Sequence, residues 1–313
     1  MLIARNHIFF PVIGISLAIL LVGATGLSEI AWMELGLFGL VMVSTGIPHG
    51  ATDHLIYAKV QSHRARPFRW KRFLGEYLFT MILYSLSWVF LPGISLSIFL
   101  LISAYHFGQS QILYIKWEAG SWKKRVLGLA WGSLILSSLL LMHLEEVIAL
   151  LSSIIAIPGI LSSLGPVQLA IFPTACGAIV LLLWSQALRE NAMSIPEFVK
   201  EIASLTILLT TFYVAGLWLG FALYFGVWHA LSSMLAEIEA FRQEQAYSVR
   251  AFVKDALPFS LISFAGIAIL GLAVSFLGEQ IPMILLLFIA ISVLTLPHTI
   301  YMDRFYQKLS SHS

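Results

Sequence analysis

Charge and cysteine are both scarce in this sequence of 313 residues. Only 11% of the residues are charged, fewer than a soluble domain of this size normally carries. The net charge of +2 provides no basic surface for nucleic acid, so no nucleic-acid partner is expected. The single cysteine, Cys176, lies in an apolar run, which excludes an internal disulfide and a thiolate metal cluster. Any metal ion would need other ligands.

Several catalytic motifs are also missing from the sequence. There is no GxSxG, which disfavours nucleophilic hydrolysis, and no HExxH metalloprotease motif. The repeated HxxxH or HxxHH boxes of membrane hydroxylases and desaturases are absent as well. Every lysine lies in a predicted loop or near a helix end, so an opsin that holds retinal through a lysine Schiff base is disfavoured.

Long apolar runs dominate what is present. Hydrophobic residues make up 59% of the chain and the mean hydropathy is +0.90. Runs long enough to cross about 30 Å of hydrocarbon recur throughout, and helices satisfy their own backbone hydrogen bonds there. The sequence therefore predicts one all-α, polytopic membrane domain over residues 1–313, with about eight to eleven membrane segments. The predicted helices are 8–27, 31–49, 73–92, 94–115, 126–144, 147–162, 167–188, 202–236, 257–277 and 281–301.

Three of these segments are ambiguous. The run 202–236 is long enough for two tilted passes, and 147–162 is short and contains Pro158-Gly159, so it is either a span or a re-entrant segment. The first run resembles a signal peptide, but its apolar core is too long, and we expect a retained first helix.

Two clusters of basic residues predict the orientation, because cytoplasmic loops carry an excess of lysine and arginine. Two helices separate the clusters, as a shared side requires, and Glu145-Glu146 falls on the opposite side. We expect the N-terminus, the segment from Glu237 to Asp255 and the C-terminal tail to be cytoplasmic. The clusters are Lys59, Arg64, Arg66, Arg69, Lys71 and Arg72, and Lys116, Lys123, Lys124 and Arg125.

Four of the nine histidines share one depth, two to three helical turns below the cytoplasmic surface. Four imidazoles on separate helices could converge on one metal ion, and neutral imidazole suits iron, zinc and copper. Packing across helices and a proton pathway are two further interpretations of the same layer. The four are His49, His106, His229 and His298, whereas His143 at the opposite helix end and His7, His63 and His312 in loops or termini are assigned no role.

Three neighbouring residues are candidates for an outer shell around these histidines. Asp53 follows His49 by four positions and Gln109 follows His106 by three, so either could take a ring N–H and fix the tautomer. Asp53 could equally be a capping or ion-pairing carboxylate at a helix end. His54 is turned off the face of His49 and is expected to be an outer-shell or interfacial group.

The local strings around the histidines resemble a known family. The strings are Pro48-His49-Gly50 with Asp53-His54, Tyr105-His106-Phe107-Gly108, Trp228-His229 and Pro297-His298. Together they resemble the bacteriorhodopsin-related-protein-like family of bacterial and archaeal β-carotene 15,15′-dioxygenases. The likeness implies a multi-pass enzyme of the cell membrane that cleaves β-carotene with O₂ and Fe(II) into two retinal molecules. It also implies a functional link to a retinal-binding rhodopsin.

The resemblance assigns iron ligands to His49, His106 and His229, but the family's fourth histidine is replaced by Ser233. The shared depth offers His298 in its place. A three-histidine site completed by water or Ser233 would also fit the sequence, as would a weakened site in a non-catalytic carotenoid- or retinal-handling protein. A histidine-lined metal or proton transporter is a third functional class that uses the same layer of histidines.

Overall fold

The fold is a bundle of helices, and the described residues contain no strand. The computed structural model describes residues 12–21, 25, 31–63, 66–118, 120–155, 163–242, 247–276 and 282–309. The first half contains α1 (Val12–Leu21), α2 (Ala31–Val41), a π-helical segment (Met42–Gly46), α3 (Ile47–Gly50), α4 (Asp53–His63), α5 (Trp70–Phe90), α6 (Pro92–Gln111), α7 (Trp122–Met142) and α8 (Leu144–Leu151).

The second half contains a further π-helical segment. Its elements are α9 (Pro166–Arg189), α10 (Ile195–Val214), α11 (Leu217–Phe221), the second π-helical segment (Ala222–Leu231), α12 (Ser232–Arg242), α13 (Val249–Phe276) and α14 (Met283–Leu309). Seven continuous helical stretches of the described residues are long and apolar enough to cross a membrane. Two more helices, α6 and α10, have 20 residues each. The prediction of an all-α, polytopic membrane protein is confirmed.

The ambiguous run 202–236 falls in two helical stretches, α10 and the stretch from α11 to α12, which meet at Ala215-Gly216. The carboxylate of Glu34 marks this junction, because its Oε1 accepts the backbone N–H groups of Trp218 and Leu219, each at 3.0 Å. An acidic side chain stabilises the start of a helix in this way. In the other two ambiguous segments, 8–27 and 147–162, the structure describes residues 12–21 and 25 and residues 147–155, and the remainder lies outside the described part.

The helix predicted to end at residue 236 extends further along the chain. Helix α12 continues to Arg242, and Glu237 is fully buried in it. An ionisable residue normally marks the end of an apolar run, but this carboxyl group has a buried hydroxyl partner in Thr52, whose Oγ1 donates to Glu237 Oε2 at 2.8 Å. Pairing of this kind allows a charged residue type to lie within a membrane bundle.

Helices α6 and α7 are in backbone contact, and one glycine of each helix allows it. A Cβ added at Gly132 would fall on the carbonyl oxygen of Ala104 in α6, and one at Gly108 in α6 would fall on the carbonyl oxygen of Gly128. Small residues at membrane helix interfaces permit such close approach. Since Ala104 and Gly108 flank His106 on both sides, this contact fixes the height and rotation of that histidine.

The two π-helical segments pack directly against each other. In the first, the backbone N–H of Ile47 bonds to the carbonyl oxygen of Met42, five residues earlier. A Cβ on Gly226 in the second segment would collide with Val41 at the start of the first. π-helical turns are rare and are found often at functional sites. Here one segment precedes His49 and the other contains His229.

We expect Gly132→Ala to destabilise the protein, because overpacking costs about 1–3 kcal/mol and here the added atom meets backbone. The measurement is Tm in detergent. Gly266→Ala is the matched control, since its Cβ would have nothing within 4 Å and alanine favours a helix. Equal Tm values for the two variants would contradict the proposed backbone contact.

Candidate metal centre

Four buried histidine rings meet where α3, α6, the second π-helical segment and α14 come together. They are 1–4% exposed. The ring of His49 lies 4.5 Å from that of His298, 5.0 Å from that of His229 and 6.2 Å from that of His106, between centroids. His106 lies 4.7 Å from His229 and 5.1 Å from His298. The structure therefore brings together all four histidines to which the sequence assigned one depth.

The ring nitrogens of this cluster converge. One nitrogen from each of His49, His106 and His298 lies within 4.8 Å of the other two. The Nε2 atoms of His49 and His298 are only 3.0 Å apart. His229 completes the cluster through its ring contacts, and its Nε2 is buried with no hydrogen-bond partner among the described residues.

Asp53 sets the tautomer of His298. Its Oδ1 lies 2.7 Å from His298 Nδ1, and its Oδ2 accepts the hydroxyl of Tyr77 at 3.0 Å. A carboxylate accepts, so the proton of His298 is on Nδ1 and the lone pair of Nε2 faces the cluster. The sequence paired Asp53 with His49 on one helical face. That pairing is wrong, because the helix ends at Gly50 and restarts at Asp53.

The break that separates His49 from Asp53 lies in the string GIPHGATDH, residues 46–54. Pro48 lies in α3, which continues directly from the π-helical segment because Gly46 before it is itself helical. Proline has no backbone N–H, so it removes one hydrogen bond from this helical stretch. The backbone N–H of Ala51 bonds to the carbonyl oxygen of Pro48 at 3.1 Å, and the chain turns at Ala51-Thr52. Because of this turn, His49 lies in the cluster while Asp53 lies beside His298.

Gln109 makes no hydrogen bond to His106. Its Nε2 donates to Asp303 Oδ1 at 2.7 Å and lies 3.3 Å from the Tyr105 hydroxyl, which itself donates to Asp303. Both ring nitrogens of His106 are buried without a hydrogen-bond partner among the described residues. The expected tautomer-fixing contact of Gln109 is therefore wrong, because a partner from α14 takes the amide away from the ring.

His229 and His54 have different surroundings. The Nδ1 of His229 lies 3.0 Å from the Ser110 hydroxyl, and its ring packs against Phe107 and Phe225 at 4.7 and 6.0 Å between centroids. His54 lies instead among aromatic rings, 4.7 Å from Phe259 and stacked on Trp70 at 5.7 Å. Its ring has no contact with the four histidines in the described part of the chain.

Ser233 lies one turn beyond His229 and is buried. Its Oγ accepts the hydroxyl of Tyr306 at 3.2 Å, and the Tyr306 ring stacks on that of His106 at 6.2 Å between centroids. Tyr306, eight residues after His298, was not found from the sequence. The tyrosine fills space beside the cluster that a larger side chain at position 233 would need.

Glu237 is the second residue that sequence reasoning missed. Its Oε1 lies 3.7 Å from His49 Nδ1. It follows Ser233 by four residues, as Ser233 follows His229, so the spacing was a signal for a shared helix face. Its charge led instead to a predicted helix end at residue 236.

The donor set fits a divalent transition metal. Imidazole nitrogens suit iron, copper and zinc, and unpaired buried nitrogens are costly unless a ligand takes them up. The Nε2 of His229 and both ring nitrogens of His106 have no hydrogen-bond partner among the described residues, and the Nε2 atoms of His49 and His298 have only each other. Carboxylates behind two of the imidazoles match the usual arrangement around metal-bound histidine.

Comparison with known proteins places this cluster in a family. The family described as "Beta-carotene 15,15'-dioxygenase" matches residues 40–306, which include all four histidines. A protein of that name from Uncultured marine bacterium 66A03 is 41% identical over 85 residues. That alignment covers 27% of this chain and 30% of the relative's length, so the chain matches less than a third of that protein. No solved structure matches the chain. The extent of the family match establishes that the chain belongs to the beta-carotene 15,15'-dioxygenase family.

Proposed function

We propose that this protein is a membrane-embedded dioxygenase that cleaves β-carotene at its central 15,15′ double bond. One O₂ adds across the cleaved bond, so that each half of the polyene ends in an aldehyde and two all-trans-retinal molecules result. The observation that carries the proposal is the convergence of four buried imidazoles in a chain of this family. A carotenoid dissolves in the bilayer, and a centre inside a helical bundle meets it there.

His49, His106, His229 and His298 are the proposed ligands of Fe(II). When bound, iron would activate O₂ beside the alkene. The relevant property of the chain is that these imidazoles are buried and that two of them are oriented by hydrogen-bonding partners. Asp53 holds the proton of His298 on Nδ1, and the Ser110 hydroxyl lies against Nδ1 of His229. In both rings Nε2 is then directed into the cluster.

The surroundings of His229 suit an apolar polyene. Phe107 and Phe225 pack directly on its ring, and Phe221 stacks on Phe225 at 5.3 Å between centroids. These rings exclude water from the side of the cluster they cover and offer apolar contact surface. We propose the lipid bilayer of a bacterial or archaeal cell membrane as the setting, with the histidine layer nearer the cytoplasm, and a retinal-binding rhodopsin as a user of the product.

In bacteria that accumulate β-carotene, expression of the protein should bleach the yellow pigment and yield two retinal per β-carotene lost. Extraction and chromatography of the pigments measure both quantities. His143→Ala is the control, because His143 lies at the opposite end of the bundle, with Nε2 2.8 Å from the Phe212 carbonyl oxygen. Unchanged β-carotene with iron and oxygen supplied would overturn the proposal. Bound but uncleaved carotenoid would identify a carrier, and histidine-dependent ion flux a transporter.

Replacement of any one of the four clustered histidines by alanine should lower iron affinity at least about 100-fold. Loss of an outer-shell partner alone costs about 10–100-fold, and a ligand should cost no less. Iron bound by the purified protein is measured by titration, again with His143→Ala as the control. If His298→Ala bound iron as tightly as the unchanged protein, His298 would not be a ligand.

Ser233→His should not restore a family-like fourth ligand by itself. The imidazole needs the space of Tyr306, whose hydroxyl lies 3.2 Å from Ser233 Oγ, and overpacking costs about 1–3 kcal/mol. We expect a lower Tm and no gain in iron affinity for the single variant. Combining it with Tyr306→Leu should recover Tm and raise affinity. Tighter iron binding by Ser233→His alone, at unchanged Tm, would contradict this account of the packing.

A further inference from the structure

Glu237 is a buried carboxyl group beside the histidine cluster that the proposed reaction does not use. It is fully buried, and its Oε1 points at Nδ1 of His49 from 3.7 Å. Neither of these two atoms has a hydrogen-bond partner among the described residues. An unpaired donor or acceptor in an apolar interior is costly, so two that face each other indicate a functional pair.

The surroundings of Glu237 repeat those of Asp53. Asp53 turns one oxygen to Nδ1 of His298 and has the other held by the Tyr77 hydroxyl. Glu237 turns one oxygen toward Nδ1 of His49 and has the other held by the Thr52 hydroxyl at 2.8 Å. Thr52 lies in the turn after α3 and directly precedes Asp53, the first residue of α4. The same short stretch of chain therefore supplies one carboxyl group and the hydroxyl that holds the other.

The geometry argues against Glu237 as a direct ligand. Nε2 of His49 faces Nε2 of His298 at 3.0 Å, whereas Glu237 lies on the Nδ1 side of the same ring. The carboxyl group is therefore behind the imidazole and not at the point where the ring nitrogens meet. The 3.7 Å separation is about half an ångström longer than a hydrogen bond, so the proposed contact requires a small movement of one side chain toward the other.

We propose that Glu237 is a positioning residue of the metal centre, which accepts the Nδ1 proton of His49 and holds Nε2 toward the other three histidines. This inference rests on the proposed metal-binding function. With Asp53 it gives two carboxyl groups, from α4 and α12, that each orient one imidazole. Outer partners of this kind fix the tautomer and ring orientation of metal-binding histidines.

The experiment measures Co²⁺ binding to the purified full-length protein in detergent, by titration and by the visible absorption of bound Co²⁺. Glu237→Met removes the acceptor while it keeps an unbranched side chain of similar length, and Glu237→Gln keeps a neutral acceptor. We expect Glu237→Met to weaken Co²⁺ binding about 10–100-fold and to change the absorption, with Glu237→Gln between it and the unchanged protein.

Two further variants separate positioning from stability. Glu201 is also fully buried, but its carboxylate accepts from Gln111 Nε2 at 3.0 and 3.2 Å. Glu201→Met therefore makes the same substitution as Glu237→Met at a buried carboxyl group with a different partner. Thr52→Val removes the hydroxyl that holds Glu237 and keeps the carboxyl group. Both should lower Tm, while Co²⁺ affinity stays within about twofold for Glu201→Met and falls less than tenfold for Thr52→Val.

Co²⁺ affinity in Glu237→Met equal to that in Glu201→Met would overturn the positioning role and leave the proposed dioxygenase intact. Equal losses in Glu237→Met and Thr52→Val, in step with their Tm values, would also overturn it, since this is what a purely structural link predicts. No Co²⁺ or Fe²⁺ binding by the unchanged protein would overturn both proposals. Tight metal binding without carotene cleavage would overturn only the dioxygenase.

Discussion

The contact between Asp53 and His298 is the interaction on which the site depends. It joins residues 245 positions apart at 2.7 Å, inside a bundle where neither group can turn to water. An unpaired carboxylate in such an interior costs several kcal/mol, so the pair holds α14 against the turn after α3. The same contact decides which nitrogen of His298 carries the proton. One hydrogen bond therefore holds two distant parts of the chain together beside the cluster and fixes the tautomer of a proposed ligand.

The rest of the bundle brings the other histidines to this pair by close backbone packing. His106 takes its position from the contact of α6 with α7 at Gly108 and Gly132, where no side chain intervenes. Dispersion at such interfaces replaces the hydrophobic effect, which is weak between helices already in lipid. Around the cluster, buried hydroxyl groups take up the outer oxygen atoms of the carboxylates. Long apolar side chains such as Phe90 and Phe276, by contrast, are 74% and 86% exposed.

Much of this arrangement was predictable from the sequence, for a physical reason. Apolar length predicts membrane helices because the bilayer fixes their span, and a shared distance from basic loops predicts a shared depth. Depth alone brought His49, His106, His229 and His298 into one layer. Rotation about the helix axis was not predictable in the same way. Gln109 shows this, because its distance from His106 along α6 was right for contact, but Asp303 from a distant helix binds its amide. Glu237 shows that charge is a poor marker of a helix end when a buried partner such as Thr52 is available.

The two π-helical segments change the direction in which the side chains after them point around the helix axis. A π turn contains more residues than the 3.6 of an α turn, so each segment rotates everything after it by a fraction of a turn relative to a regular helix. His49 follows the Met42–Gly46 segment and His229 lies near the end of the Ala222–Leu231 segment. The direction of both imidazoles is thus set by how many residues the preceding turns contain, independently of which side chains those residues carry. Loss of one residue from either segment would leave the apolar character of the helix unchanged and turn its histidine toward a different neighbour.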